Sequence, residues 1–346
     1  MKKFCAVLPM VALVAACNSG SGGGANNAAG QIKIVGSSTV YPFTTAVAEE
    51  FQRANAGSSV IVESTGTGGG IKLFCSGIGD QFPDAVNASR AMKASEHADC
   101  VKNGAKNVIE LPVGIDGLTL IQGKNGVDLN LTVADIYKAL AANPFGKPNT
   151  AQTWRDVNPS LPPIKIRVLG PPPTSGTRDS FAELILEKGC DSDPAMKALK
   201  KSNAEQHKQT CTKIREDGAF VEAGENDNLL VQKVAAAPGT LGVLGFSFLD
   251  DNADKVKPVP IAGVLPTDAT IADLSYPGSR KMYVYFKGEH IAAKPMIKTF
   301  IEAYSKAWST GGPLEKRGLV PLSAGDAAAA TKQATALTPL DASTLK

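Results

Sequence analysis

The stretch Ile32-Lys33-Ile34-Val35-Gly36-Ser37-Ser38-Thr39-Val40-Tyr41-Pro42 decides the fold. Ile32 to Val35 is short and rich in β-branched residues, and it ends on glycine, so it reads as a strand. Phe43, Val47 and Phe51 then recur at helical spacing, with Pro42 in the first turn, where its missing N–H costs nothing. Between the two lies a turn of glycine, serine and threonine. The same order returns at Val60-Ile61-Val62-Glu63, which runs into Thr65-Gly66-Thr67-Gly68-Gly69-Gly70 and an apolar segment from Ile71. It returns again where a strand from Ile164 to Leu169 meets a proline-rich turn, Thr174-Ser175-Gly176-Thr177, and a helix carrying Phe181, Leu184, Ile185 and Leu186. Strands alternating with helices predict an α/β protein with mostly parallel sheets.

Leu131-Thr132-Val133-Ala134-Asp135 carries a capping-box signature and opens a further helix with Val133, Ile136, Tyr137 and Leu140 on one face. The Pro- and Asn-rich span 143–163 reads as a surface connection. Turn and then strand are expected over 237–245, and another strand at Tyr283-Val284-Tyr285-Phe286. A helix near Met296 to Trp308 closes the fold, and the alanine-rich 324–336 reads as a surface helix or frayed tail. No repeat of fixed period is present.

The chain has 346 residues, 43% apolar and 20% charged, which suits one large or two medium globular domains. Its net charge of +3 is too small, and too evenly spread, for a nucleic-acid surface. Lys2 and Lys3 precede an apolar run from Phe4 to Ala16, too short to span a bilayer as a mature helix. Leu13-Val14-Ala15-Ala16-Cys17 resembles the bacterial lipobox, so residues 1–17 are expected to be a lipoprotein signal with lipid on Cys17. The Ser/Gly/Asn/Ala stretch 18–30 then reads as a flexible tether. These features place the chain in the periplasm or on the surface of a bacterium, touching the membrane through its lipid only.

Cys75, Cys100, Cys190 and Cys211 remain, an even number in an exported chain, and four cysteines allow three connectivities. Pairing Cys75 with Cys100 and Cys190 with Cys211 keeps each bridge inside one local unit and is the expected arrangement. No metal site is expected, because there is no Cys-x-x-Cys pair or Cys/His cluster in the sequence. His97, His207 and His290 sit in polar contexts and read as surface residues.

Each Ser/Thr/Gly turn sits where a strand ends and a helix begins. The first N–H groups of a helix lack internal partners, and the macrodipole adds partial positive charge there. Hydroxyls supply further donors, and glycine lets the backbone approach closely. One such turn is ordinarily just a helix cap. Three in one chain, with Arg178 directly after Ser175-Gly176-Thr177, point to a tetrahedral oxyanion.

The sequence resembles the periplasmic phosphate-binding component of ABC-type phosphate transporters. The likeness rests on Gly36 to Pro42, Thr65 to Gly70, Asn87-Ala88-Ser89-Arg90, Leu131 to Tyr137, Trp154 to Pro162, Ser175-Gly176-Thr177-Arg178 and the turn and strand from Pro238 to Gly245. It implies a two-lobed periplasmic binding protein fold, type II-like, with two mostly parallel sheets joined by two crossover strands. Lobe 1 would comprise 31–115 plus 280–346, and lobe 2 would comprise 116–279. It also implies a monomer without cofactor that buries inorganic phosphate between its lobes and hands it to permease subunits. Ser38, Thr39, the Val40 amide, Thr67 and Gly68 would serve from lobe 1, with Ser89 and Arg90. Ser175, Gly176, Thr177 and Arg178 would serve from lobe 2.

Two departures stand out. Many relatives carry Ser-Asp where this chain has Ser89-Arg90, and many carry an arginine just before the Ser-Gly-Thr turn, where this chain has Pro171, Pro172 and Pro173. Arg90 and Arg178 would then supply the positive charge, and Asp179 or Asp116 would accept the proton of hydrogen phosphate. The alternatives are a receptor for another oxyanion such as sulfate, or a phosphate-ester hydrolase. Against an enzyme, the chain has no Gly-x-Ser-x-Gly elbow, no His-Glu-x-x-His and no phosphate-loop lysine motif.

Overall fold

A computed structural model describes residues 31–224 and 226–345. The signal, Cys17 and the tether lie outside the described residues. The strands are β1 (Gln31–Gly36), β2 (Ser59–Ser64), β3 (Ala85–Ala88), β4 (Val108–Gly123), β5 (Val168–Gly170), β6 (Phe220–Glu222), β7 (Leu241–Gly245), β8 (Val256–Pro258) and β9 (Ser279–Lys287). They form one hydrogen-bonded path, β2-β1-β3-β9-β4-β7-β5-β6, with β8 also on β4.

The continuity of this path comes from the length of β4. Its residues Val108 to Gly117 pair with β9, and Leu118 to Gln122 pair with β7. One strand thus belongs to both groups of the sheet. The pairs β1–β2, β1–β3, β5–β6 and β5–β7 are parallel, as strand–helix alternation demands. Every antiparallel pair involves β4 or β9, which run back across the others.

Helix Tyr41–Ala54 carries Pro42 in its first turn, buries Val47 and Phe51, and packs against β2 and helix Met296–Ala307. Phe51 meets Phe300 edge-on at 5.3 Å between ring centroids. In the other group, Tyr137, Trp154 and Phe181 are fully buried in the core. Thr132 caps helix Val133–Leu140, its hydroxyl accepting from the Asp135 N–H while Asp135 accepts from the Thr132 N–H, as the capping box foretells.

The cysteines join as expected, Cys75 to Cys100 and Cys190 to Cys211, each bridge inside one group. His207 stands with Cys190 and Cys211 in the one grouping of metal-ligating residue types found among the described residues, but both sulfurs are already bonded to each other.

Three expectations need correcting. The span 143–163 is not simply a surface connection, because Thr153 caps a helical turn, Trp154–Val157, that buries the Trp154 ring completely. The strand expected over Ile164 to Leu169 is confined to Val168–Gly170, since Lys165 bridges back to Thr153 instead. The histidines are buried, at 8%, 2% and 4% exposure for His97, His207 and His290. Polar partners make this tolerable. His290 Nδ1 meets Asp84 at 2.7 Å while its Nε2 accepts from the Gly79 N–H at 2.9 Å, and His207 Nε2 meets Asp191 at 2.8 Å. Burial alone would raise Asp84, but His290, the Lys33 amide and Lys294 together hold it below the ordinary carboxylate value.

Candidate functional site

The turn after β1 is built by a close approach that only glycine permits. Gly36 has φ of 127°, and a Cβ on it would lie 2.2 Å from the Asn87 carbonyl oxygen. This draws the turn against the end of β3, where the Ser37 N–H donates to Asn87 O at 2.9 Å. Ser38, Thr39 and Val40 are thereby presented at the start of helix Tyr41–Ala54.

The turn after β2 opens helix Thr67–Phe74, with Gly68 in its first turn. Thr67 Oγ1 accepts from the Ser89 N–H at 3.1 Å and meets Ser89 Oγ at 2.8 Å, so the ends of β2 and β3 are tied by hydroxyls. Both side chains are buried.

The third turn caps its own helix. Ser175 Oγ accepts from the Thr177 N–H at 3.2 Å at the start of Gly176–Phe181. That helix widens into a π-helical segment, Ala182–Glu187, a distortion common near functional sites. The first and third turns touch. Thr39 Oγ1 donates to the Gly176 carbonyl at 3.1 Å and lies 3.2 Å from Ser180 Oγ, and Ser38 Oγ donates to Asp179.

The cation at this junction is Arg280, which the sequence reading did not single out. It stands on β9 directly opposite Asp116 on β4, and the side chain is only 10% exposed. Its Nε donates to Asp116 at 3.2 Å, its Nη2 to Ser180 Oγ at 2.8 Å and to Thr39 Oγ1 at 3.2 Å, and its Nη1 to Glu183. Ser180 Oγ lies 2.6 Å from Asp116, and Ser89 Oγ lies 3.4 Å from Glu183. Arg280 thus links the Thr39 hydroxyl of the first turn to Ser180 in the helix that follows the third, and Glu183 reaches Ser89, which in turn bonds Thr67 of the second. A largely buried guanidinium beside hydroxyls has the donors to bind an oxyanion in a forked geometry.

The two arginines singled out from sequence are placed differently. Arg90 grips Glu96 with both terminal nitrogens, at 2.9 and 2.8 Å. Burial would lower Arg90, but pairing with Glu96, aided by Glu183 and Tyr285, holds it above its ordinary value. Arg178 donates to the Pro171 carbonyl at 3.0 Å and lies over the Phe220 ring at 4.3 Å. Burial lowers it, against the opposing pull of Glu222, Asp179 and Glu216. Both guanidiniums are therefore engaged in structure.

Beside the touching turns lies a cavity of about 230 Å³, whose lining includes Ser38, Thr39, Asp116, Ser175, Gly176 and Thr177. It brings six of the expected ligand residues together. Asp179 adjoins them through Ser38, while Thr67 and Ser89 connect to the same centre through Glu183 and Arg280, and Gly68 follows Thr67 at the helix start.

Residues 22–306 match the family described as the PBP superfamily domain. Protein SphX of Synechococcus elongatus is 34% identical over 308 residues, covering 86% of this chain and 79% of that protein. The phosphate-binding protein PstS of Staphylococcus saprophyticus is 30% identical over 278 residues, covering 79% and 75%. The crystal structure of a possible phosphate-binding protein from Planctomyces limnophilus superposes with a TM-score of 0.72 at 29% identity, over 89% of this chain and 98% of that one. An ABC-type phosphate transport receptor from Vibrio cholerae shares the fold, with a TM-score of 0.55 at 21% identity. Strand–turn–helix units that converge on one buried arginine, and relatives spanning most of the chain, lead to one conclusion: the chain belongs to the PBP superfamily, in the family that includes SphX and the PstS phosphate-binding proteins.

Proposed function

We propose that this chain binds inorganic phosphate between two lobes, 31–115 with 280–346 and 116–279, and delivers it to the permease of an ABC transporter. The observation that carries this reading is the meeting of helix-start turns from both sides around Arg280. Ser38, Thr39, the Val40 amide, Thr67, Gly68 and Ser89 face the anion from one lobe, and Ser175, Gly176 and Thr177 from the other. Arg280 supplies the buried positive charge, while Arg90 and Arg178 brace the ends of β3 and the third turn.

Asp116, Asp179 and Glu183 outnumber Arg280 in this cleft. Carboxylates there favour an anion that still carries a proton to donate, which hydrogen phosphate does and sulfate at neutral pH does not. Titration calorimetry of the mature protein with both anions is expected to give one phosphate per chain and much weaker sulfate binding. Heat with sulfate alone would transfer the reading to sulfate. A hydrolase would instead turn over phosphate esters, and no turnover is expected with or without EDTA.

Anchoring belongs to the same reading. Mass spectrometry of the mature N-terminus is expected to find lipid on Cys17, and an unmodified start downstream of Cys17 would overturn it.

A further inference from the structure

One wall of the cavity holds a cation that none of the contacts described above uses. Arg317 lines it together with Ser38, Thr39, Ser175, Gly176 and Thr177. Its side chain is exposed and, among the described residues, enters no salt bridge. Its backbone is held firmly. Gly318 follows with φ of 92°, and a Cβ on it would lie 2.8 Å from Ser247 Oγ. Two residues further on, Val320 pairs with Ile115, the Ile115 N–H donating to Val320 O at 2.8 Å and the Val320 N–H to Ile115 O at 3.2 Å. Ile115 immediately precedes Asp116 on β4, so a backbone bridge three residues after Arg317 ties its segment to the strand that carries part of the anion site.

The charges around it are mostly of the other sign. Asp227 lines the same cavity, and the adjoining depression is lined by Asp250, Asp251, Asp268 and Glu315, with Lys316 as its other cation. Among the residues lining these two depressions the cations are Arg317 and Lys316, and only Arg317 also lines the cavity.

We propose that Arg317 is a positioning residue for ligand entry: it draws phosphate to the mouth of the cavity and speeds association without holding it in the closed site. This rests on the phosphate reading above. Oriented charge in a cleft raises association rates by about 10- to 1,000-fold, and a single exposed charge belongs at the low end of that range. The effect must fade as salt shortens the reach of the field, to about 10 Å at 0.1 M.

The test is stopped-flow association of inorganic phosphate with the mature protein, read by a fluorophore on an introduced surface cysteine, for the parent, Arg317→Gln, Arg317→Glu and Arg317→Lys. At low ionic strength the association rate is expected to fall about 3- to 10-fold for Arg317→Gln and further for Arg317→Glu, while Arg317→Lys stays near the parent. The differences should vanish at about 1 M salt, with dissociation rates unchanged throughout. Equal association rates in all four proteins would overturn the inference, and so would a loss carried by faster dissociation. A parent protein that binds no phosphate in calorimetry would overturn the functional reading itself, and this inference with it.

Discussion

Arg280→Ala is expected to weaken phosphate binding by about 2–5 kcal/mol, as truncating one partner of a buried charge pair does, or roughly 30- to 4,000-fold. The size follows from what Arg280 does: one guanidinium reaches Asp116, Glu183, Ser180 and Thr39, and its removal leaves those carboxylates without the cation that pairs them. Arg280→Lys keeps the charge but loses the fork, and should fall between parent and alanine. Arg178→Ala is expected to cost less, because its guanidinium is spent on Pro171 and Phe220. Calorimetry of the three variants, with circular dichroism to verify folding, measures the order. Parent-like affinity in a folded Arg280→Ala protein would place the anion elsewhere.

Gly176→Ala tests closure rather than charge. A Cβ at Gly176 would lie 2.7 Å from the Ser38 carbonyl oxygen and 2.7 Å from Thr39 Cα, both backbone atoms of the facing turn. A flexible side-chain tip could swing aside, but a backbone turn anchored at Gly36 cannot. Overpacking of this kind costs about 1–3 kcal/mol, roughly 5- to 150-fold in affinity. Alanine is a good helix former, so thermal stability of the ligand-free protein should hold or rise slightly. Lost affinity with retained stability is the expected signature, read by calorimetry and thermal melts. Unchanged affinity would mean that the bound form does not bring these turns so close.

The contrast between the two residues explains what was legible. Gly176 lies inside a local pattern of strand, small-polar turn and helix, and such patterns are written in consecutive residues. The same holds for Gly36 to Val40 and for Thr67. Arg280 is 241 residues from Thr39 and 164 from Asp116, and only the pairing of β9 with β4 brings it opposite Asp116. Nothing near Arg280 in sequence announces that register. The histidines misled for a related reason. Polar neighbours along the chain suggested exposure, yet Asp84, which ties up His290, is 206 residues away and buried with it. Arg90 and Arg178 were conspicuous for adjoining the turns, but Glu96 and Phe220 claim them. Trp154 hid among prolines and asparagines that describe its surroundings rather than its ring.

The double membership of β4 also bears on how the chain is born. The group of β5, β6, β7 and β8, with the second half of β4, is complete in one continuous stretch ending at Pro258. The group that begins the chain is not. β3 and the first half of β4 share β9 as their partner, and β9 starts only at Ser279. During synthesis, the amino-terminal strands therefore stay open-edged until more than 280 residues have left the ribosome. A chain so ordered finishes last what it starts first.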